Sequence, residues 1–263
     1  MSTDAASIAA PGSLAPQATV TLREAEPGIA LVEMHEREGR NTFTDALIRD
    51  LTAAFTAIAA NEQWRAVVLT GYDSYFSSGG TQEGLRDLFE GRFKFTDKDL
   101  YSLALNCPIP VVSAMQGHGI GGGFVLGMFA DAAVLSRESI YTANFMKYGF
   151  TPGMGSTLIL PHKLGPVLAH EMMLSARVYR GEDLARRGVP FPVLPRDQVL
   201  PHAMALARDF ADKPRFSLVT LKDHLVAGLR DALPQAIERE VEMHARTFHR
   251  PEVRDRIEAL FGQ

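Results

Sequence analysis

The chain has 263 residues, of which 46% are hydrophobic and 22% are charged. This composition is typical of a globular protein with one sizeable core or two modest ones. The formal charge of −4 gives little electrostatic reason to bind nucleic acid or an anionic membrane. Cys107 is the only cysteine, which excludes an intrachain disulfide and a cysteine-based metal cluster. No apolar run approaches the roughly 20 residues that a membrane-spanning helix needs.

The first two thirds of the chain alternate between strand and helix patterns. Residues 1–17 are rich in Ala, Ser and Pro and lack the basic and apolar regions of a signal peptide, so we expect a disordered leader. Apolar runs predict five strands, over residues 19–22, 29–34, 66–70, 111–115 and 132–136. Helices are predicted between them, over residues 45–60 after the cap Thr44, 97–106 and 122–130. This alternation predicts a largely parallel sheet.

The last third of the chain has a different pattern, with helices separated by prolines. These helices are predicted over residues 165–174, 181–187, 200–212, 217–229 and 234–248. We therefore expect an α/β core over residues 18–195 and a helical C-terminal region over residues 196–263.

Two glycine-rich turns directly follow predicted strands. The first contains Gly79 and Gly80, and the second runs from Gly117 to Gly123 and opens a helix. Glycine allows close approach of the backbone, and a helix N-terminus adds partial positive charge. Each turn alone could simply fit the chain. Together they suggest two backbone donors that face one polarised oxygen, which is an oxyanion hole.

Other sites that depend on glycine are poorly supported. Neither turn is followed by the Gly-Lys-Ser or Gly-Lys-Thr of a phosphate-binding loop. The Gly-x-Gly-x-Gly run at 117–121 lies in the middle of the chain and lacks the acidic residue of a dinucleotide site. No Gly-x-Ser-x-Gly motif supports an esterase. The histidines show no metal-ligand spacing, so we predict no metal and no redox cofactor.

The segments 76–80, 116–123 and 149–155, together with Asn41 and Asp131, resemble the crotonase (enoyl-CoA hydratase/isomerase) superfamily. The resemblance implies an α/β fold with a spiral ββα core and a helical C-terminal trimerisation region. It also implies thioesters of coenzyme A or acyl carrier protein as ligands. By motif position, the N–H groups of Gly80 and Gly122 would bind the thioester carbonyl.

Two positions depart from the hydratases of that superfamily. Where the resemblance implies two glutamates that handle water, this chain has Val125 and Phe145. Without a carboxylate base, the addition of water to a conjugated double bond lacks its proton handler. Acids in an apolar pocket would also repel a carboxylate on the substrate with little screening. The two replacements therefore favour decarboxylation, or a scaffold without catalysis.

Further segments resemble one branch of the superfamily, the decarboxylases of polyketide β-branching; they include residues 78–84, 94–97, 141–155, 187–191 and 218–225. The resemblance implies conversion of a 3-methylglutaconyl-type thioester on acyl carrier protein into a 3-methylcrotonyl-type thioester. The phosphopantetheine of the carrier would be part of the substrate, and no other cofactor is implied. A tyrosine of part of this branch is replaced here by Glu90.

The resemblance places a lysine at Lys94 and a histidine at His244, for holding the substrate carboxylate or delivering a proton. We further expect Ser78 and Asn144 to contact the substrate, beside apolar walls at Val125 and Phe145.

Helical spacing predicts how these side chains and their neighbours are arranged. His244 lies on a predicted stripe with Ile237, Val241 and Phe248, while Glu240 is assigned to another face. We expect His118 to shape the second glycine turn.

The sequence thus predicts a cytoplasmic decarboxylase that acts with acyl carrier protein as a homotrimer or a dimer of trimers, without nucleic acid or membrane. Two alternatives remain. One is an acyl-CoA hydratase or isomerase with an atypical base such as Glu83, although we expect Glu83 to point away from the pocket. The other is a non-catalytic thioester-binding homologue.

Overall fold

The computed structural model describes residues 18–92 and 99–261. Within these residues the strands are β1 (Val20–Glu26), β2 (Ile29–Met34), β3 (Ala66–Thr70), β4 (Tyr75–Ser77), β5 (Val111–Met115), β6 (His118–Ile120), β7 (Ala132–Ser136), β8 (Ile140–Thr142), β9 (Tyr179–Arg180) and β10 (Val193–Leu194). The helices are α1 (Asp45–Ala60), α2 (Gln82–Phe89), α3 (Leu103–Asn106), α4 (Gly122–Met128), α5 (Ser156–Leu164), α6 (Pro166–Ser175), α7 (Gly181–Arg186), α8 (Arg196–Ala211), α9 (Arg215–Thr247) and α10 (Pro251–Leu260), with a 3₁₀ turn over Asn144–Tyr148.

The larger sheet has six strands in the order β1-β2-β3-β5-β7-β10. Strands β1 and β2 are antiparallel, and every other neighbouring pair is parallel, which confirms the predicted sheet. All five residues of β3 and all five of β5 are buried. Both faces of the sheet are therefore covered, as the apolar runs predicted. Helix α8 lies against β3, β5 and β7.

The smaller sheet has the order β4-β6-β8-β9 and was not predicted from the sequence. Its strands have only two or three residues, too few to show an alternating pattern. Strands β4 and β6 are parallel neighbours, with Tyr75 opposite His118 and Ser77 opposite Gly119. This pairing brings the two glycine-rich turns side by side, because the first turn follows β4 and the second contains β6.

Helix α1 occupies the predicted residues, and Thr44 caps it by accepting a hydrogen bond from the N–H of Leu47 at 3.2 Å. Helix α4 begins at Gly122 as predicted. The helix predicted over 97–106 is wrong in extent. Residues 97 and 98 lie outside the described residues, and the helix found there is limited to Leu103–Asn106.

The two helices predicted over 217–229 and 234–248 are one helix, α9, of 33 residues. Pro234 lies inside it. A proline in a helix forfeits one backbone hydrogen bond, but the buried face continues on both sides of this residue, with Val226 before it and Leu233 and Glu240 around it. Tertiary packing therefore outweighs the helix-breaking tendency of the proline.

A buried ion pair attaches α9 to the segment that follows α4. Lys222 is only 3% exposed, and its Nζ donates to Asp131 Oδ2 at 2.7 Å. The same Nζ donates to the carbonyl oxygens of Ala104 at 2.9 Å and Ile109 at 3.1 Å. Asp131 Oδ2 also accepts from the N–H of Val111 at 2.8 Å. The ion pair therefore connects α9, α3 and the start of β5.

We expect Lys222→Ala to lower the free energy of unfolding by about 3–5 kcal/mol, because it leaves Asp131 as an unpaired carboxylate. Chemical denaturation measures this change. Lys213→Ala is the control: its ion pair with Asp212 is exposed, and its loss should change stability by at most about 1 kcal/mol. Equal effects of the two substitutions would contradict the prediction.

Candidate active site

The two glycine-rich turns touch each other. A Cβ atom built on Gly79 would lie 3.1 Å from the backbone nitrogen of Gly122, so only glycine fits there. Gly79 also has a φ of +77°, which residues with a side chain rarely adopt. The backbone N–H groups of Gly80 and Gly122 donate to no acceptor within residues 18–92 and 99–261. Neither amide is therefore used within the described part of the chain, as the predicted oxyanion hole requires.

The segment before α1 holds the first turn in place. The N–H of Phe43 donates to the carbonyl of Gly79 at 2.7 Å. Asn41 is fully buried, and its Nδ2 donates to the carbonyl oxygens of Met34 at 3.0 Å and Phe76 at 2.9 Å. Asn41 therefore links the end of β2 to β4, directly before the oxyanion turn.

The two apolar replacements lie in one buried cluster. Val125 is fully buried in α4, and Phe145 is 5% exposed in the 3₁₀ turn. The ring of Phe145 packs edge-on against Phe150, with 6.1 Å between ring centroids. Phe150 in turn packs against Phe248 at 4.4 Å. An aromatic series therefore extends from Phe145 towards the end of α9.

Both predicted polar contacts lie beside the glycine turns. Asn144 Oδ1 is 2.8 Å from the position that a Cβ of Gly121 would take. Ser78 is half-buried and directly precedes Gly79. Each is therefore adjacent to one of the two turns.

His244 lies on α9, and its Nε2 is 2.9 Å from the carbonyl oxygen of Thr151. Because a carbonyl only accepts, Nε2 carries the proton and donates. Burial lowers the pKa of His244, against the opposing effect of the Thr151 and Pro152 carbonyls. Phe248 packs edge-to-face on the imidazole, with 5.8 Å between ring centroids. The Nε2–H of His244 is therefore used within the chain, as the donor to Thr151.

A small cavity lies beside His244. It is lined by Tyr101, Met154, Ile237, Glu240, Val241 and His244. The Sδ atom of Met154 lies 2.6 Å from the position that a Cβ of Gly122 would take. Met154 therefore touches the second glycine turn and also forms a wall of the cavity that contains His244.

The predicted catalytic lysine, Lys94, lies outside the described residues, as do its neighbours from 93 to 98. The described chain resumes at Asp99, two residues before Tyr101 of the cavity. The role of Lys94 stays a prediction.

The assignment of Glu240 to another face of the helix is wrong. Glu240 is 1% exposed and lines the cavity with His244, which is one helical turn further along α9. Its Oε2 accepts from the N–H of Gly155 at 2.7 Å, and its Oε1 accepts from the N–H and hydroxyl of Thr157 at 2.9 and 2.6 Å. Glu240 thereby caps the N-terminus of α5. Its four-residue spacing from His244 was the signal that could have revealed this position.

Among the described residues, Glu240 is the one acid that lines the cavity, and its oxygens accept from three donors. Burial raises the pKa of Glu240, although its hydrogen bonds to Thr157 and Gly155 act in the opposite direction. Burial, together with the charges of Asp99 and Glu240, also raises the pKa of Tyr101 to about 12. The phenol of Tyr101 is thus a neutral donor at physiological pH.

Two secondary predictions are confirmed. His118 Nδ1 accepts from the N–H of Ile140 at 3.0 Å, so this histidine joins β6 to β8 and shapes the turn. Glu83 is exposed on α2.

Within the described ranges, no cluster of three or more His, Cys, Asp or Glu side chains is arranged to hold a metal ion. Among those same residues, no helix combines the length and apolarity needed to cross a membrane.

The family model described as enoyl-CoA hydratase/isomerase matches residues 24–261. The chain therefore belongs to the enoyl-CoA hydratase/isomerase family, and the predicted α/β crotonase fold with a helical C-terminal region is confirmed.

Individual relatives indicate which branch of the family the chain resembles. The chain is 61% identical to the bacillaene synthase decarboxylase PksI of Bacillus subtilis, over 92% of this chain and 98% of that protein. It is similar to a solved structure from a dehydratase/decarboxylase enzyme couple involved in polyketide beta-branching, with a TM-score of 0.92, 61% identity, and coverage of 93% and 100% of the two chains. The ECH2 decarboxylase domain of CurF from Lyngbya majuscula matches with a TM-score of 0.90, 45% identity and the same coverage.

We expect Gly122→Ala to weaken binding of a crotonyl pantetheine thioester about tenfold or more. The new Cβ would lie 2.6 Å from Met154 Sδ and 2.7 Å from Phe43 Cε2, so the turn must shift and its amide leaves the shared oxygen. Calorimetry measures the affinity. Gly228→Ala is the matched control, because nothing lies within 4 Å of its Cβ position. Unchanged affinity in the folded Gly122→Ala variant would show that this amide does not bind the thioester.

Proposed function

We propose that this chain decarboxylates a 3-methylglutaconyl-type thioester on acyl carrier protein to a 3-methylcrotonyl-type thioester during polyketide β-branching. The proposal rests on two backbone amides, at Gly80 and Gly122, that donate to no acceptor among the described residues, and on Val125 and Phe145, buried apolar residues at the positions where hydratases of the family are expected to have acids. The 61% identity to the bacillaene synthase decarboxylase PksI supports the same reaction.

Decarboxylation requires a group that accepts the electron pair of the broken carbon–carbon bond. The bond between the carboxylate carbon and its neighbouring carbon breaks, and CO2 leaves. The electron pair moves through the conjugated double bond onto the thioester oxygen and forms a dienolate. The amides of Gly80 and Gly122 would stabilise that oxygen. Removal of one such donor typically raises the activation barrier by about 2.7–4 kcal/mol. One proton then adds to carbon and completes the product.

Val125 and Phe145 favour decarboxylation because their side chains carry no carboxylate. Carboxylates at 125 and 145 would repel the substrate carboxylate, since charges interact strongly in a buried pocket. Glu240 is compatible with this requirement, because both of its oxygens accept hydrogen bonds from the N-terminal turn of α5. The partial positive charge of that helix end offsets its charge.

We assign Lys94 and His244 to holding the carboxylate and delivering the proton. Ser78 and Asn144, beside the two turns, would contact the thioester arm. No cofactor is required in this scheme, since the phosphopantetheine belongs to the carrier-bound substrate. An enzyme of carrier-bound intermediates would act in the cytoplasm.

The purified chain should release CO2 from a 3-methylglutaconyl thioester on carrier protein, followed as mass loss from the carrier by mass spectrometry. We expect Lys94→Ala and His244→Ala each to lower turnover about a hundredfold or more, because each removes a group that binds the carboxylate or transfers a proton. His202→Ala, at an exposed position of α8, is the control for the histidine.

The possible outcomes separate the chemistry from the residue assignments. No CO2 release by the unaltered chain would refute the function, and undiminished turnover of a variant would remove that residue from the mechanism. The alternative hydratase with Glu83 as base requires water addition to a crotonyl thioester, and the exposure of Glu83 on α2 disfavours it.

The surface supports self-association. Helix α6 and the residues after it expose Val167, Leu174 and Val178, and α9 exposes Phe216, Leu221 and Leu225. Each of these side chains is more than half exposed, and the exposed large apolar residues of α6 and of α9 each lie within one short segment of the chain. We propose that these faces are buried in a homotrimer or a dimer of trimers.

Light scattering should give three or six times the mass of one chain. We expect Leu225→Glu to lower that assembly state, because a charge would be buried in the contact. Ala59→Glu, at an exposed position of α1, should leave the mass unchanged. A monomeric unaltered chain would rule out the assembly.

A further inference from the structure

One tyrosine of the cavity has no role in the chemistry proposed above. We propose that Tyr101 is a further catalytic residue, whose phenol donates a hydrogen bond to the substrate carboxylate beside His244. This inference rests on the proposed function, since it names the group that receives the departing carboxylate.

Tyr101 lies in the cavity with His244, and Met154 links that cavity to the second glycine turn. It is 6% exposed and lines the same cavity as His244 and Met154. Met154 in turn contacts Gly122 of the oxyanion turn. A ligand whose thioester oxygen lies at Gly122 would therefore extend past Met154 towards Tyr101 and His244. The ring of Tyr101 packs against Phe129 at 6.0 Å, which fixes its plane.

The hydroxyl of Tyr101 has no hydrogen-bond partner among residues 18–92 and 99–261. Two other buried tyrosines have one: Tyr141 donates to the Met115 carbonyl at 2.7 Å, and Tyr179 donates to Glu171 at 2.8 Å, whereas Tyr148 has none among the described residues. Buried phenols normally find an acceptor, because an unmade hydrogen bond is costly. The unused donor of Tyr101 therefore fits an acceptor that arrives with the ligand.

The charge state of Tyr101 suits a carboxylate. The neighbouring negative charges of Asp99 and Glu240 disfavour the phenolate, so the group remains a donor. Glu240 does not take this proton, since its hydrogen bonds go to Gly155 and Thr157. The tyrosine that part of this branch carries at the position of Glu90 is absent here, and Tyr101 supplies a phenol from a different segment of the chain.

A neutral donor also matches the course of the reaction. The carboxylate loses its negative charge as CO2 forms, so a strong interaction with the charged form holds the ground state and slows the step. A phenol orients the group through one directional hydrogen bond and carries no net charge. Tyr101 would thus fix the carboxylate without strongly stabilising its charge.

The test is Tyr101→Phe, which keeps the ring and removes only the hydroxyl. Calorimetry compares two unreactive pantetheine thioesters: 3-methylglutaryl, which has the carboxylate but no conjugated double bond, and 3-methylbutyryl, which lacks the carboxylate. We expect about tenfold to a hundredfold weaker binding of the first and unchanged binding of the second. Tyr179→Phe is the matched control and should change neither affinity.

Equal losses for both thioesters would assign Tyr101 a structural role, and no loss would remove it from the site; either result overturns the inference. Should the variant fail to fold, 3-fluorotyrosine at 101 provides a second measurement. Its more acidic phenol should tighten binding of 3-methylglutaryl alone, and unaltered selectivity would count against the proposal. Because neither thioester reacts, these results stand whether or not the chain releases CO2.

Discussion

The site depends on one close contact between two glycine turns. Strands β4 and β6 are parallel neighbours, so the residues after them leave the small sheet together, and Gly79 lies against the amide of Gly122. A side chain at either turn would separate them. The proposed chemistry depends on the amides of Gly80 and Gly122 binding one oxygen atom, with the N-terminus of α4 at Gly122.

The side chains that line the neighbouring cavity avoid an unpaired charge. Among the described residues, the cavity is lined by the phenol of Tyr101, by His244, whose Nε2–H donates to Thr151, and by one acid, Glu240, which accepts from the N-terminal turn of α5. A family whose fold serves water addition elsewhere is thus adapted here to a substrate with its own charge. The change needs no new backbone, because Val125 and Phe145 occupy positions that the fold already provides.

Much of this arrangement could be predicted from the sequence, since strong local signals were present. The apolar runs of β3, β5 and β7, the cap Thr44 and the glycines before α4 each specify their own structure. The small sheet has strands too short for a periodic pattern. The position of Glu240 depends on how α9 turns against α5, and the continuity of α9 through Pro234 depends on packing at both of its ends. Such contacts join residues far apart in the chain.

The length of α9 has a mechanical consequence. Lys222 anchors the helix near its start, and Glu240 and His244 lie about 30 Å further along the same rod. A rigid rod converts a small tilt at a fixed pivot into a larger displacement at its far tip. Substitutions around Lys222 will therefore change the position of the His244 imidazole without altering a residue that lines the cavity.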